Sequence, residues 1–185
     1  KDKYASYQEL KKNEKSGKDY IIRKQNRSST FAVMAIHGGA IEPGTSEIAN
    51  AIAGDEHSFY ALEGRKKKGN RHLHIASEKF DEKEALKLAG SSQSVITIHG
   101  CKGYSNKILL GGKYKYLKNR IACELIKAGF DICVKPKTTL SGTNHKNICN
   151  RGNSSQGVQI EIDLSVRKRM FKGLKAKGRK VKTKE

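Results

Sequence analysis

The apolar positions of this chain fall into short blocks whose period switches between helix-like and strand-like. Residues 30–36 (TFAVMAI) form a nearly continuous apolar run, the pattern of a strand buried on both faces, and the run ends in His37-Gly38-Gly39. Residues 94–98 (SVITI) repeat the arrangement and end in His99-Gly100. Shorter runs at 20–23, 58–62, 107–110 and 130–134 also read as strands. In 158–162 apolar and polar residues alternate strictly, so Val158, Ile160 and Ile162 face one side of a strand, and Gln159 and Glu161, followed by Asp163, the other. Helical spacing appears at 45–53, stopped by Gly54, and at 115–128, stopped by Gly129. It also appears at 81–89, opened by an Asp81/Glu84 pair that resembles a capping box. A short surface helix is predicted at 4–12, and a last one, capped by Ser165, through residue 174.

Strands and helices alternate along the chain, which predicts an α/β domain: an open mixed β-sheet with helices on both faces. In such sheets ligands bind beyond the carboxyl ends of the strands. Both His37 and His99 fall at such ends. One domain is expected over residues 1–174, since 185 residues suit a single core.

Composition adds one strong signal, a formal net charge of +20. That field attracts polyanions and is screened by salt. Ten Lys or Arg and a single acid lie between Arg167 and Glu185. Residues 175–185 have almost no apolar content, and a disordered basic tail is expected there. No run approaches the ~18 apolar residues of a membrane span. The first residues are polar and basic rather than of signal-peptide type, which leaves the compartment open, cytoplasmic or released. The cysteines Cys101, Cys123, Cys133 and Cys149 form no CxxC pair, and buried free thiols are the expectation.

The candidate chemistry sits where strands end. The glycines after His37 let the backbone turn sharply and leave room for a ligand. Glu42 precedes Pro43, which keeps it extended and narrows where its side chain points. Its loop also carries Ala40 and Ile41, which a purely solvated loop does not need. With His99, the three side chains form a set of two imidazoles and one carboxylate, which suits a single catalytic zinc ion with its fourth position left for water. Such a site needs a base, and Glu161 lies on the polar side of its strand near the carboxyl end. The same alternation also describes a strand with one solvated face. Asn150-Arg151 offers a substrate loop, since an Arg side chain takes a carboxylate in a two-bond fork. His74 fits either a supporting position near the site or the core.

Together these segments are similar to one known family. AIHGGAIEPGTSEIANAIAG, LEG (62–64), LHIAS (73–77), IHGCKG (98–103), NICNRG (147–152) and GVQIEI (157–162) resemble the poly-γ-glutamate hydrolases, zinc enzymes associated with phages and bacilli. The resemblance covers residues 4–174. It implies the α/β/α sandwich of zinc carboxypeptidases, one zinc ion held by His37, Glu42 and His99, and Glu161 as general base. Asn150-Arg151 matches a carboxypeptidase substrate pair by residue type only. Carboxypeptidases have two residues between the first His and the Glu, whereas here residues 38–41 intervene.

The implied partner is an anionic polypeptide with one free α-carboxylate per residue, which a chain of this charge suits. A zinc amidase acting on another γ-linked or cell-wall bond is a second reading. A basic nucleic-acid-binding protein is a third, but no helix-turn-helix, zinc finger or aromatic RNA-binding signature is present, so no specific nucleic acid is expected. A monomer is expected.

Overall fold

A computed structural model of the chain describes residues 2–134, 136 and 139–183. Seven strands form one sheet: β1 (Tyr20–Gln25), β2 (Phe31–Gly39), β3 (Ser58–Gly64), β4 (Ser94–Cys101), β5 (Lys107–Gly111), β6 (Asp131–Cys133) and β7 (Val158–Asp163). Their order is β1-β3-β2-β4-β7-β5-β6. The central strands β3, β2, β4 and β7 run parallel, β1 is antiparallel to β3, and β5 is antiparallel to β7. The mixed sheet expected from the alternation is therefore present.

The helices are α1 (Tyr7–Asn13), α2 (Thr45–Ala53), α3 (Lys83–Ser91), α4 (Lys115–Lys127) and α5 (Leu164–Met170). They cover both faces because the strands carry apolar side chains in both directions. On one face Ala32, Met34, Ile36, Tyr60 and Val95 pack with Tyr7 and Leu10 of α1 and Leu88 of α3. On the other, Val33, Ala35, Ile98, Ile160 and Ile162 pack with Ala49 of α2, Ala122 of α4 and Val166 of α5. No helix among the described residues is long and apolar enough to cross a membrane.

Three local expectations change. Helix α3 is capped by Glu82, whose carboxylate accepts from the Glu84 and Ala85 N–H groups, while Asp81 accepts from the Tyr7 backbone instead. Helix α5 is capped two residues earlier, by Asp163 rather than Ser165, and ends at Met170. Of the tail expected as disordered over residues 175–185, residues 175–183 fold back on the domain, and residues 184 and 185 lie outside the described residues. Phe171 is buried and bridges Lys182, and the Arg179 guanidinium pairs with Glu47 of α2 at 2.7 Å. The physical reason is that this basic stretch has a carboxylate to meet and an aromatic residue just upstream to bury.

Candidate metal centre and cleft

The carboxyl ends of β2, β4 and β7 open into a cleft of about 760 Å³ lined by His37, Glu42, His74, His99, Gln159, Glu161 and Arg167, among others. Two glycines make this junction possible. Gly39 has φ +64°, a conformation side chains disfavour, and a Cβ there would lie 2.6 Å from the Gly64 carbonyl oxygen. A Cβ on Gly100 would lie 2.5 Å from the Arg167 guanidinium carbon.

The turn after β2 brings Glu42 back to His37. The Glu42 N–H donates to the His37 carbonyl at 2.9 Å, and Thr45 Oγ1 donates to the Glu42 carbonyl at 2.8 Å. The longer spacing between histidine and glutamate is thus closed by backbone bonds. His37 Nδ1 stands 3.2 Å from Glu42 Oε1, His99 Nδ1 stands 3.1 Å from His37 Nδ1, and His99 Nδ1 stands 3.7 Å from Glu42 Oε2. All three residues are buried.

Those spacings fit a metal ion. Zinc–nitrogen bonds of about 2.0–2.1 Å at tetrahedral angles place ligand atoms roughly 3.3–3.4 Å apart. The tautomers also fit. His37 Nε2 donates to the Ile75 carbonyl at 2.7 Å, which leaves Nδ1 as a lone-pair donor facing the triad. His99 Nε2 is buried and, among the described residues, has no hydrogen-bond partner. Glu42 Oε2 accepts from the Gly100 N–H at 2.8 Å, which orients the carboxylate. Burial works to raise the Glu42 carboxyl, but the two imidazoles outweigh it and hold it well below the usual range. Among the described residues these three are the group able to hold a metal ion.

Glu161 is paired with His99 in the β4–β7 register, so both side chains emerge on the same face of neighbouring strands. The polar face of β7 is not solvated, and Gln159, Glu161 and Asp163 are all buried. Burial and the nearby Glu42 charge push Glu161 up to about 8. Gln159 Nε2 donates to Glu161 Oε1 at 3.0 Å, and Asn147 Nδ2 in turn donates to Gln159 Oε1 at 2.8 Å. A buried carboxyl with raised proton affinity, held on one oxygen by an amide, has the chemistry of a group that exchanges protons.

His74 lies in the cleft, not the core. Its ring is 3.9 Å from that of His37, and its Nδ1 is 2.7 Å from Asp2 Oδ1. Burial pushes it down to about 4, against the pull of the neighbouring Glu42 and Asp2 carboxylates.

The substrate loop expected at Asn150-Arg151 is not part of the cleft. Asn150 is buried with its amide spent on the backbone: Nδ2 donates to the Gly142 and Asn144 carbonyls, and Oδ1 accepts from the Lys113 and Gly157 N–H groups. Arg151 is exposed and does not line the cleft. Asn147, three residues earlier, does, through Gln159.

Sequence reasoning missed Arg167, which it counted within the basic C-terminal stretch. Its guanidinium donates to the carbonyls of Ile162, Pro43 and Cys101, tying together the ends of β7 and β4 and the Glu42 loop. Only its position right after a buried strand could have singled it out. All four cysteines are free, and only Cys149 is fully buried, while Cys123 is exposed. Cys101 borders the cleft, and burial pushes its thiol up to about 12, which keeps it protonated and unreactive.

Comparisons with known proteins place the chain and its fold in one family. A family profile described as poly-gamma-glutamate hydrolase matches residues 4–185. The UPF0714 protein YndL of Bacillus subtilis (strain 168) is 36% identical over 181 residues, which cover 97% of this chain and 71% of YndL. The SPbeta prophage-derived UPF0714 protein YoqZ of the same organism is 36% identical over 179 residues, 96% of this chain and 65% of YoqZ. Among solved structures, a bacteriophage poly-gamma-glutamate hydrolase superposes with a TM-score of 0.95 at 30% identity, covering 100% of this chain and 91% of that one. A zinc-free apo form of YndL superposes with a TM-score of 0.94 at 36% identity, with the same coverage.

Proposed function

The chain belongs to the poly-gamma-glutamate hydrolase family, and from that premise we propose that it hydrolyses γ-glutamyl amide bonds of poly-γ-glutamate, using zinc held by His37, Glu42 and His99 and Glu161 as general base. The observation that carries this reading is the register pairing of His99 with Glu161, which puts a buried carboxyl on the same face as the donors His37, Glu42 and His99.

His37, Glu42 and His99 would hold a divalent cation, which when bound would supply Lewis acidity for water and for the amide carbonyl. The remaining roles fall to the chain itself. Glu161 takes the proton of the attacking water and returns it to the departing amine nitrogen. Gln159 fixes one oxygen of Glu161 and leaves the other to face the cleft. His37 and Glu42 stay in their ligating orientations through Ile75 and Gly100. Arg71 and Lys102 are exposed cations lining the cleft, and they suit the α-carboxylates that a γ-linked polymer presents on each residue. The zinc-free apo form of YndL supports zinc as the native ion.

The test follows polymer size during incubation with poly-γ-glutamate, using protein as purified, chelator-treated and zinc-restored. The expected result is shortening that stops with chelator and resumes with zinc. Protein that holds zinc yet leaves the polymer intact would overturn the substrate and point to another γ-linked amide.

A further inference from the structure

The C-terminal residues 171–183 contain no acid, and the structure seats them on Gly44 and Glu47, where Gly44 is the neighbour of the cleft-lining Pro43. Three contacts seat them. Phe171 and Leu174 pack on Gly44, where a Cβ would come within 2.9 Å of the Phe171 ring. Arg179 binds Glu47 and the Leu174 carbonyl, each at 2.7 Å. The Lys172 N–H donates to the Val181 carbonyl at 3.0 Å. Gly44 directly follows Pro43, which lines the cleft and whose carbonyl is held by Arg167. The segment therefore continues the Glu42 loop outward.

Its other cations behave differently from Arg179. Lys172, Lys175, Lys177, Lys180 and Lys182 are exposed, and among the described residues none is in an ion pair. Five ammonium groups without an ion-pair partner among the described residues sit on a segment anchored beside Gly44, the residue after the cleft-lining Pro43. Like charges so close repel one another, so a solubilising role alone does not require them to be folded together.

We propose that this strap is a docking surface for the polyanionic polypeptide substrate outside the catalytic cleft, holding the chain of α-carboxylates next to the bond being cut. The proposal rests on the function proposed above. Ammonium groups serve here as point charges without demanding geometry, which suits a flexible polymer. Docking of this kind raises encounter with long chains, and short ones that fill only the cleft gain nothing. It also fades as salt shortens the screening length to ~3 Å near 1 M.

The test substitutes Lys175, Lys177, Lys180 and Lys182 together by Gln in the full chain, leaving the anchors Arg179 and Phe171 in place. kcat/KM is measured on long poly-γ-glutamate and on a γ-glutamyl oligomer of a few residues, at low and high salt. The expected result is a fall of about tenfold or more on long polymer at low salt, little change on the oligomer, and convergence of variant and wild type at high salt. Equal kcat/KM on long polymer at low salt overturns the proposal and leaves the catalytic reading standing. An equal fall on oligomer and polymer overturns it too, because the loss is then not one of docking. A variant that loses only binding of duplex DNA assigns the strap to nucleic acid and refutes it. Failure of the wild type on both substrates would instead remove the catalytic reading, and this inference with it.

Discussion

On one face of β7, Val158, Ile160 and Ile162 pack into the cluster shared with α2, α4 and α5. On its other face, Gln159, Glu161 and Asp163 are just as buried, yet each is tied by hydrogen bonds: to Asn147, to Gln159, and to the Tyr104 and Ser165 N–H groups. The first face is explained by removing apolar area from water. The second is tolerated because its polar groups are satisfied by hydrogen bonds. One strand thus carries an apolar, structural half and a polar half to which the proposed function assigns the chemistry, offset by a single residue, and a polar residue on an alternating strand need not face water.

The contrast can be broken from either side. The largest effect is expected from His99→Ala on the functional face, which should lose bound metal and drop hydrolysis to background. Metal analysis showing full occupancy would contradict the ligand assignment. Next comes a pH effect in metal-free protein. Folded Glu161 keeps its proton up to about 8, whereas the unfolded chain releases it near the ordinary carboxyl value. Stability is therefore expected to fall as pH rises through that window, by several degrees in Tm, and Glu161→Gln should flatten the fall. Glu42 has the opposite sign and weakens the fold only as pH drops below the ordinary carboxyl range. On the structural face, Ile160→Ala should cost about 2 kcal/mol, near the low end for such a truncation, because Ile160 borders an apolar groove between α2 and α4 where neighbours can relax. Its kcat should stay near wild type, and thermal melts with parallel turnover assays would show the split. Smallest of all, Arg151→Ala should leave stability within about 0.5 kcal/mol and activity unchanged. A marked rise in KM would return Arg151 to the substrate site.

Much of this was legible along the chain, and the parts that were share a cause. The strand ends at His37 and His99 stood out because unbroken apolar runs and following glycines are local signals. Helix α2 begins and ends as its pattern predicts. Glu161 could be placed on the correct side of its strand by period alone. Its burial could not, since that depends on β7 lying between β4 and β5, a pairing made across the whole sheet. The failures are likewise non-local. Asp81 leaves its capping position for the Tyr7 backbone, Asn150 spends its amide on three loops, and Arg167 and Arg179 find partners far away in sequence. Charged residues are the hardest to place this way, because a basic run looks the same whether it is solvated or clamped.

The central claim is that the polar face of β7 supplies the base beside a metal held by the other two strand ends. Glu161→Gln tests it most directly, with bound zinc and turnover on poly-γ-glutamate measured on the same sample. The account predicts unchanged zinc with kcat lower by roughly 10²–10⁴-fold. Near-normal turnover in a zinc-loaded variant would contradict it.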